Sequence, residues 1–506
     1  MNEKFPINTI VTSEKPKFNF RVFLANLFLK EQLGGIAGFI FLLATSIFFS
    51  FIIAQFGFLS GVFILLTLVG LPIIYGLIFY PKFGILFYLF LAYVIMYVGK
   101  FGIDFPLGTV MDGMIVLLIL GLFIQKKRKK EWSIFKGPIS VVILVWIIYN
   151  LLEVINPAAE SRLAWVYTVR TVAVIMVVYF IFIYNIRTKE LVVLILKLWL
   201  ILSFLAALYG LKQQFIGFTG FEEKYLNSDP NIKQLLFIGG QWRKFSIFTD
   251  PVAFSYNMVV SSLLCFGLMT GPIQSYKKFL LGICAATCLF SMLYSGTRGA
   301  YVLPPAAMVM FAILRFSKKV FFMGIFGALF MAIIIFMPSS NQAINRFQSA
   351  FKPSEDASFN VRKANQKRIQ PYILSHPMGG GLGATGMWGK RFAPQSFLAS
   401  FPPDSGYVRV AVEMGWIGLL LFCILMFTIL RVGIINYYEV KDPSLKSYSL
   451  SMVLIVFAFN IGNYPQEAIV QFPSNVYFYL VTALIVIVKR IDDQQQNETN
   501  FNKLAI

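Results

Sequence analysis

Apolar runs close to 20 residues long recur along nearly the whole of this 506-residue chain, separated mostly by short polar turns. A helix of about 20 apolar residues crosses the hydrocarbon layer of a bilayer. Inside that layer the backbone must satisfy its own hydrogen bonds, which a helix does within one segment. The chain is therefore expected to be an all-α polytopic membrane protein. Composition agrees: 13% of the residues are charged, against about 25% in soluble domains.

Fourteen transmembrane helices are expected, at approximately 34–54, 58–79, 83–99, 108–125, 138–155, 165–185, 190–212, 252–271, 279–295, 299–316, 320–337, 406–430, 447–464 and 473–489. Residues 1–33 form a polar N-terminal segment, residues 34–489 the transmembrane domain, and residues 490–506 a tail whose polar composition reads as disordered. The N-terminal segment has no apolar stretch near its start, so no cleavable signal peptide is expected. Basic clusters follow every second span: "QKKRKKEW", "IRTKE", "SYKKF", "RFSKK", Arg431–Lys446 and "KRIDD". By the positive-inside rule these exits and both termini face the cytoplasm.

That orientation puts two long loops outside, 215–250 and 338–404. The second, between spans eleven and twelve, carries eight Lys or Arg against three Asp or Glu. Long loops escape the positive-inside bias, so this charge is free to serve function. The chain's net charge of +21 needs no nucleic acid, because a cytoplasmic excess of Lys and Arg accounts for it. The four cysteines lie inside apolar runs, where neither an outer disulfide nor a metal site is expected.

Arginines stand beside small or turn-forming residues in three outward stretches. Arg243 lies in "GGQWRKFSIFTDPVAFSY" and Arg298 in "SGTRGA". Arg362 and Arg368 lie with Lys363 and Lys367 in "SFNVRKANQKRIQPYILSHPMGGGLG". The simplest account is that such side chains snorkel to lipid headgroups. The functional account is that they converge on one pocket, where the planar guanidinium suits phosphate oxygens bidentately. The glycines that follow, Gly381 and Gly383 among them, would let backbone amides approach a ligand. His376 could act as a base, although its place before Pro377 and a glycine run favours a structural turn. In "FPPDSGYVRVAVEMGWIGLLLF", Asp404 or Ser405 can cap the next helix. Asp404 could also serve as a carboxylate base. Arg409 and Glu413 lie one helical turn apart and can pair.

Together these stretches resemble the bacterial O-antigen ligase and O-antigen polymerase superfamily. "SGTRGAYVLP" is similar to the family's Ser-x-x-Arg-Gly turn. "RIQPYILSHPMGGGLG" is similar to its His-Pro-x-x-Gly-x-Gly-x-Gly segment. "DSGYVRVAVEMGWIGLLLF" is similar to its Tyr-Leu-x-x-x-x-Glu-x-Gly-x-x-Gly segment, and "RKFSIFTDPVAFSY" is a weaker match to a fourth segment. The resemblance implies a metal-independent glycan transferase of the bacterial inner membrane, acting at its periplasmic face without a cofactor. Its donor would be a glycan linked to undecaprenyl pyrophosphate, held by Arg243, Arg298 and Arg362. Its acceptor would be a glycan or the lipid A core. Membrane lipids and a chain-length regulator protein are the other partners implied. Asp404 and Arg298 are the expected catalytic pair. Arg368, Tyr407, Arg409 and Glu413 join as candidate substrate contacts. Ligases usually carry His-Asn where this chain has Asp404-Ser405, which favours a polysaccharide polymerase over a ligase.

A transporter or flippase is the competing class. It predicts ionisable residues near the bilayer midplane, for which Arg170 and Lys197 are the candidates, with Glu153 and Glu160 in reach of Arg170.

Overall fold

The computed structural model describes residues 36–102, 107–124, 135–238, 240–340, 342–352 and 357–504. It is helical, with one two-residue hairpin ladder. Among the described residues, eleven helices are long and apolar enough to cross a membrane, and three shorter apolar helices lie at 42–56, 67–79 and 298–314. The chain separates into two compact units, up to Tyr75 and from Gly76 onward. In the first, α1 (Ile36–Phe56) turns at Gly57 into α2 (Phe58–Phe79), inside whose last turn the boundary falls. Gly57 takes φ +77°, a left-handed conformation that glycine adopts without a side-chain clash.

The second unit begins with α3 (Pro81–Val98), α4 (Leu107–Ile124), α5 (Pro138–Leu152), α6 (Arg162–Val172), α7 (Val177–Asn185) and α8 (Lys189–Phe215). The segment after α8 holds α9 (Gly220–Leu226), α10 (Pro230–Leu236) and the hairpin β1 (Phe237–Ile238) and β2 (Gln241–Trp242). Then come α11 (Pro251–Met269), α12 (Ser275–Leu293), the single turn α13 (Arg298–Tyr301), α14 (Leu303–Leu314) and α15 (Lys318–Phe336). The segment expected as a long loop also holds helices: α16 (Gln342–Ser349), α17 (Ala357–Ser375) and α18 (Gly386–Phe392). The chain closes with α19 (Gly406–Glu439), α20 (Pro443–Gly462) and α21 (Ser474–Leu504).

The core is built by α11, α20 and α21, which are buried over most of their length. Small residues allow this, since helices in lipid associate by close backbone packing and hydrogen bonds. A Cβ on Gly267 would lie 2.7 Å from the Ser451 Cα, so only glycine fits there. Hydroxyls bridge the helices: Ser203 Oγ lies 2.7 Å from Ser261 Oγ and 2.8 Å from the Tyr93 hydroxyl. Asn257 Nδ2 donates to Ser474 Oγ at 3.0 Å.

The polar tail is a correction to the sequence reading. The helix α21 continues through it to Leu504. The buried first half of α21 supplies the helix nucleus, and polar residues then extend it at little cost. Lys489 pairs with Asp493 one turn on, at 2.5 Å. Asp492 accepts the Lys441 and Asp442 amides at 3.1 and 2.9 Å, fastening the tail to the α19–α20 turn.

Candidate active site

Antiparallel packing brings the start of α11, the end of α12, the start of α19 and the α20–α21 turn to one end of the bundle. Arg243, Arg298, Arg362 and Asp404 lie there, around two centres.

The first centre is the turn between α12 and α13. Arg243, leaving the hairpin, is buried. Its Nε donates to the Ser295 carbonyl at 2.8 Å and its Nη2 to Thr297 Oγ1 at 3.0 Å. Thr297 Oγ1 in turn donates to the Pro251 carbonyl at 3.1 Å. These bonds tie the hairpin, the turn and α11 together. Gly296 takes φ +63°, and a Cβ there would come within 2.6 Å of an Arg346 nitrogen. Arg346, on α16, donates to the Ile238 carbonyl at 2.7 Å. The sequence reading does not single out Arg346; its only signal there is one cation among eight in a long segment. Arg298 opens α13, and its charge acts on both Arg243 and Arg346. Burial pushes the Arg243 guanidinium down from its ordinary range; Asp250 opposes this, while Arg346 and Arg298 add to it. Arg346 is lowered by burial first and by Arg298 in addition. Three cations thus share one turn, and the hydrogen bonds of Arg243 and Arg346 to described residues go to neutral oxygens. Such a site is poised to gain from an anion.

The second centre is the start of α19. Ser405 caps it, accepting the Val408 amide at 3.5 Å. Asp404 is therefore not the cap. Its carboxyl is exposed and takes no hydrogen bond from the described residues. Partial desolvation still pushes it up from the usual aspartate range, and Arg362 on α17 pulls it back. The two centres meet at Tyr256 of α11. A Cβ on Gly299, next to Arg298, would lie 3.2 Å from the Tyr256 hydroxyl. That hydroxyl donates to the Gly462 carbonyl at 3.0 Å, and the Arg362 charge acts on it.

Residues 283–423 match the sequence model of the O-antigen ligase family. The chain is O-antigen ligase-like over this stretch. No curated protein matches the chain. The O-antigen ligase-like stretch holds Arg298, Arg346, Arg362 and Asp404, whereas Arg243 lies before it.

The glycine-rich segment of this domain has a role different from the expected one. Gly415 breaks α19, with φ +68° and ψ −174°. The break releases carbonyls that a continuous helix would bond. The amides of Gly380 and Gly381 donate to the Val412 and Glu413 carbonyls, each at 2.9 Å. The Gly383 amide donates to Glu413 Oε2 at 3.1 Å. A Cβ on Gly381 would lie 2.4 Å from the Ala159 Cβ, and one on Gly383 2.4 Å from Thr168 Oγ1. These amides are occupied by α19, so they do not form the ligand cradle expected from sequence. The glycines let a strand of backbone fill a broken helix.

Glu413 is buried and bonded all round, by Gly383, by Thr385 Oγ1 at 2.5 Å and by Arg409 Nε at 3.2 Å. Arg409 also pairs with Glu467 at 2.5 Å. Glu467, in the α20–α21 turn, is a residue the sequence reading misses. Burial pushes its carboxyl up, Arg409 pulls it down, and Glu413 and Asp404 push it up. It therefore shares an electrostatic neighbourhood with Asp404. The Tyr407 hydroxyl donates to the Asn460 carbonyl at 3.0 Å. Arg368 lies over the Phe397 ring at 5.4 Å. His376 stacks on Tyr372 at 4.0 Å, with Nδ1 3.0 Å from the Tyr372 carbonyl, a packed turn at the end of α17.

The candidate transport cations are placed otherwise. Arg170 pairs with Asp112 of α4 at 3.2 Å, not with Glu153 or Glu160. Lys197 stands on the exposed face of α8. Among the described residues, no three His, Cys, Asp or Glu side chains come together as a metal site.

Proposed function

We propose that this protein transfers a glycan from undecaprenyl pyrophosphate to an acceptor hydroxyl at the periplasmic face of the inner membrane, as a surface polysaccharide polymerase. The observation that carries the reading is the gathering of Arg243, Arg298 and Arg346 at one turn, joined through Tyr256 to Arg362 and Asp404. Fourteen spans, cytoplasmic termini and an outward segment 338–404 complete the topology this function requires.

In this mechanism the bond between the anomeric carbon and the pyrophosphate oxygen breaks as the acceptor oxygen attacks from the opposite face. Negative charge grows on the departing pyrophosphate, and arginines already held in place stabilise it without reorganising. Pyrophosphate is a good leaving group, so no general acid is needed. Asp404 takes the acceptor hydroxyl's proton, a step typically worth about 10²–10⁴-fold. Displacement inverts the anomeric centre. Arg409 and Glu413, occupied with each other and with Glu467 and the glycine segment, hold the scaffold under Asp404.

Deletion followed by analysis of surface and lipid-linked glycans tests the reading. Loss of a polymerase leaves single repeat units, and loss of a ligase leaves long chains on the carrier. Unchanged glycans with altered solute uptake would overturn it in favour of transport. The topology has its own test. A cysteine at Gln395, exposed in the segment 338–404, should react with an impermeant reagent from the periplasm. A need to open the inner membrane first would reverse the assigned side.

A further inference from the structure

A second charged feature lies at the opposite end of the bundle. There α8, α12 and α20 all begin. Lys189 pairs with Asp442 before α20 at 3.0 Å, and Gly271, before α12, packs against Ser447 of α20. Between α8 and α12 runs an open groove of about 540 Å³. Leu196, Ile201 and Leu280 line it, with Tyr448 contributed by α20. Two cations enter this apolar surface, Lys197 from α8 and Lys277 from α12.

Lys197 is the ninth residue of α8, about 12 Å along the helix from its first residue. It forms no ion pair or hydrogen bond with any described residue. Lys277 has the Tyr276 ring beside it at 5.7 Å. The groove faces outward from membrane-spanning helices: Ile201 is 58% and Leu280 57% exposed. A cation on a lipid-facing surface is costly unless it reaches a counter-charge. A lysine stem can reach toward the interface alone. Two lysines converging on one groove of acyl-chain character instead match a single amphiphile with an anionic head.

We propose that this groove binds an anionic glycerophospholipid, its phosphate between Lys197 and Lys277 and one acyl chain along Leu196, Ile201 and Leu280. Basic pockets between membrane helices select anionic headgroups in this manner. A lipid without an anionic head would leave both lysines without a partner, and a choline headgroup would set a third cation against them. The site is separate from the arginine turn, which adjoins the far end of α12, and it stands whether or not the transferase reading does.

The test uses the full-length chain, purified in detergent and offered equal amounts of phosphatidylglycerol and phosphatidylcholine in mixed micelles. Retained lipid is counted by native mass spectrometry. Phosphatidylglycerol should be retained about tenfold over phosphatidylcholine. The K197Q/K277Q variant should lose that preference, with its melting temperature in lipid-free detergent unchanged. If the double variant does not fold, Leu280→Trp fills the groove with both lysines kept and should displace the lipid. A K318Q/K319Q control, altering exposed lysines at the start of α15, should retain it. Equal retention of the two lipids overturns the proposal. So does a preference that survives K197Q/K277Q, or one lost equally in the control. A dimer that dissociates on K197Q/K277Q would assign the groove to a second copy of the chain.

Discussion

Arg409 and Arg243 are both guanidinium groups largely withdrawn from solvent at the same end of the bundle, but only the first is bonded to carboxylates. Arg409 stands between two carboxylates, Glu413 at 3.2 Å and Glu467 at 2.5 Å. Arg243 bonds a carbonyl and a hydroxyl rather than a carboxylate, and the charges acting on it are Asp250 against two cations, Arg346 and Arg298. A paired buried charge is satisfied by the fold itself. Cations crowded together against neutral oxygens are held by the fold yet left with charge to offer. The difference separates arginines that build the O-antigen ligase-like domain from arginines suited to hold a phosphate. It also makes opposite predictions for the two groups, in stability for one and in turnover for the other.

The largest effect is expected where the charge is paired. Arg409→Gln leaves Glu413 and Glu467 facing each other without their shared cation. Breaking a buried pair from one side costs about 3–5 kcal/mol. The folded amount recovered in detergent should collapse. Normal folding with a selective loss of transfer would move Arg409 into the substrate site and dissolve the contrast.

Arg298→Lys should do the reverse. The chain should fold, since charge is kept, while the bidentate fork is lost. Turnover of a lipid-linked donor should fall by about 10²-fold, equivalent to about 2.7 kcal/mol of transition-state stabilisation. A normal glycan length distribution at normal protein level would remove the phosphate role from this turn.

These two variants divide along a line that was only partly visible in sequence. The membrane class was legible because a bilayer forces runs of about 20 apolar residues. Arg243 and Arg298 were legible because each sits beside turn residues, and Arg362 because it stands with Lys363, Lys367 and Arg368 in one helical cluster of cations. Arg346 was not, because nothing in "NQAINRFQSA" reports that its helix folds back over Gly296. Glu467 in "NYPQEAIV" offers only a carboxylate in a short turn between apolar runs. The glycine segment shows how far local reading goes. Glycine at 381 and 383 permits positive φ, but their amides' partners depend on the break at Gly415, more than thirty residues later. The tail was misread for a related reason. Polar composition carries no record of the buried helix that nucleates it.

Asp404 sharpens the second centre. Because Ser405 supplies the cap, Asp404→Ala should leave stability nearly unchanged, and Ser405→Ala should cost about 1 kcal/mol. Asp404→Asn and Asp404→Ala should both lower turnover, by about 10²-fold, since neither accepts the acceptor's proton. Retained donor binding with lost transfer is the decisive pattern. Full turnover in the Asn variant would transfer the base role to another group, with His376 and Glu467 next in line. A smaller effect is expected at Arg346, whose guanidinium bonds a backbone carbonyl, that of Ile238. Arg346→Gln should raise the donor KM by about tenfold, or 1.4 kcal/mol, with little change in kcat. A change confined to kcat would place Arg346 on the departing charge itself.

The finest test uses pH. Desolvation raises the Asp404 carboxyl, and Arg362 lowers it. A base must be ionised, so the acid limb of transfer should lie above the range of a freely solvated aspartate, with activity lost as pH falls through that limb. Removing the opposing charge with Arg362→Gln should move the limb to still higher pH. The sign for stability runs the other way. A raised carboxyl pKa means the folded state holds its proton more tightly, so any stability it contributes is present at low pH and fades as pH rises through the folded-state value. Activity and stability should therefore move in opposite directions across the same pH window. If the Arg362→Gln limb stays in place, Arg362 does not act on the titrating group, and the link between the two centres through Tyr256 loses its catalytic meaning. If the limb vanishes in Asp404→Asn while a small residual rate persists at all pH values, the titrating group is Asp404 itself.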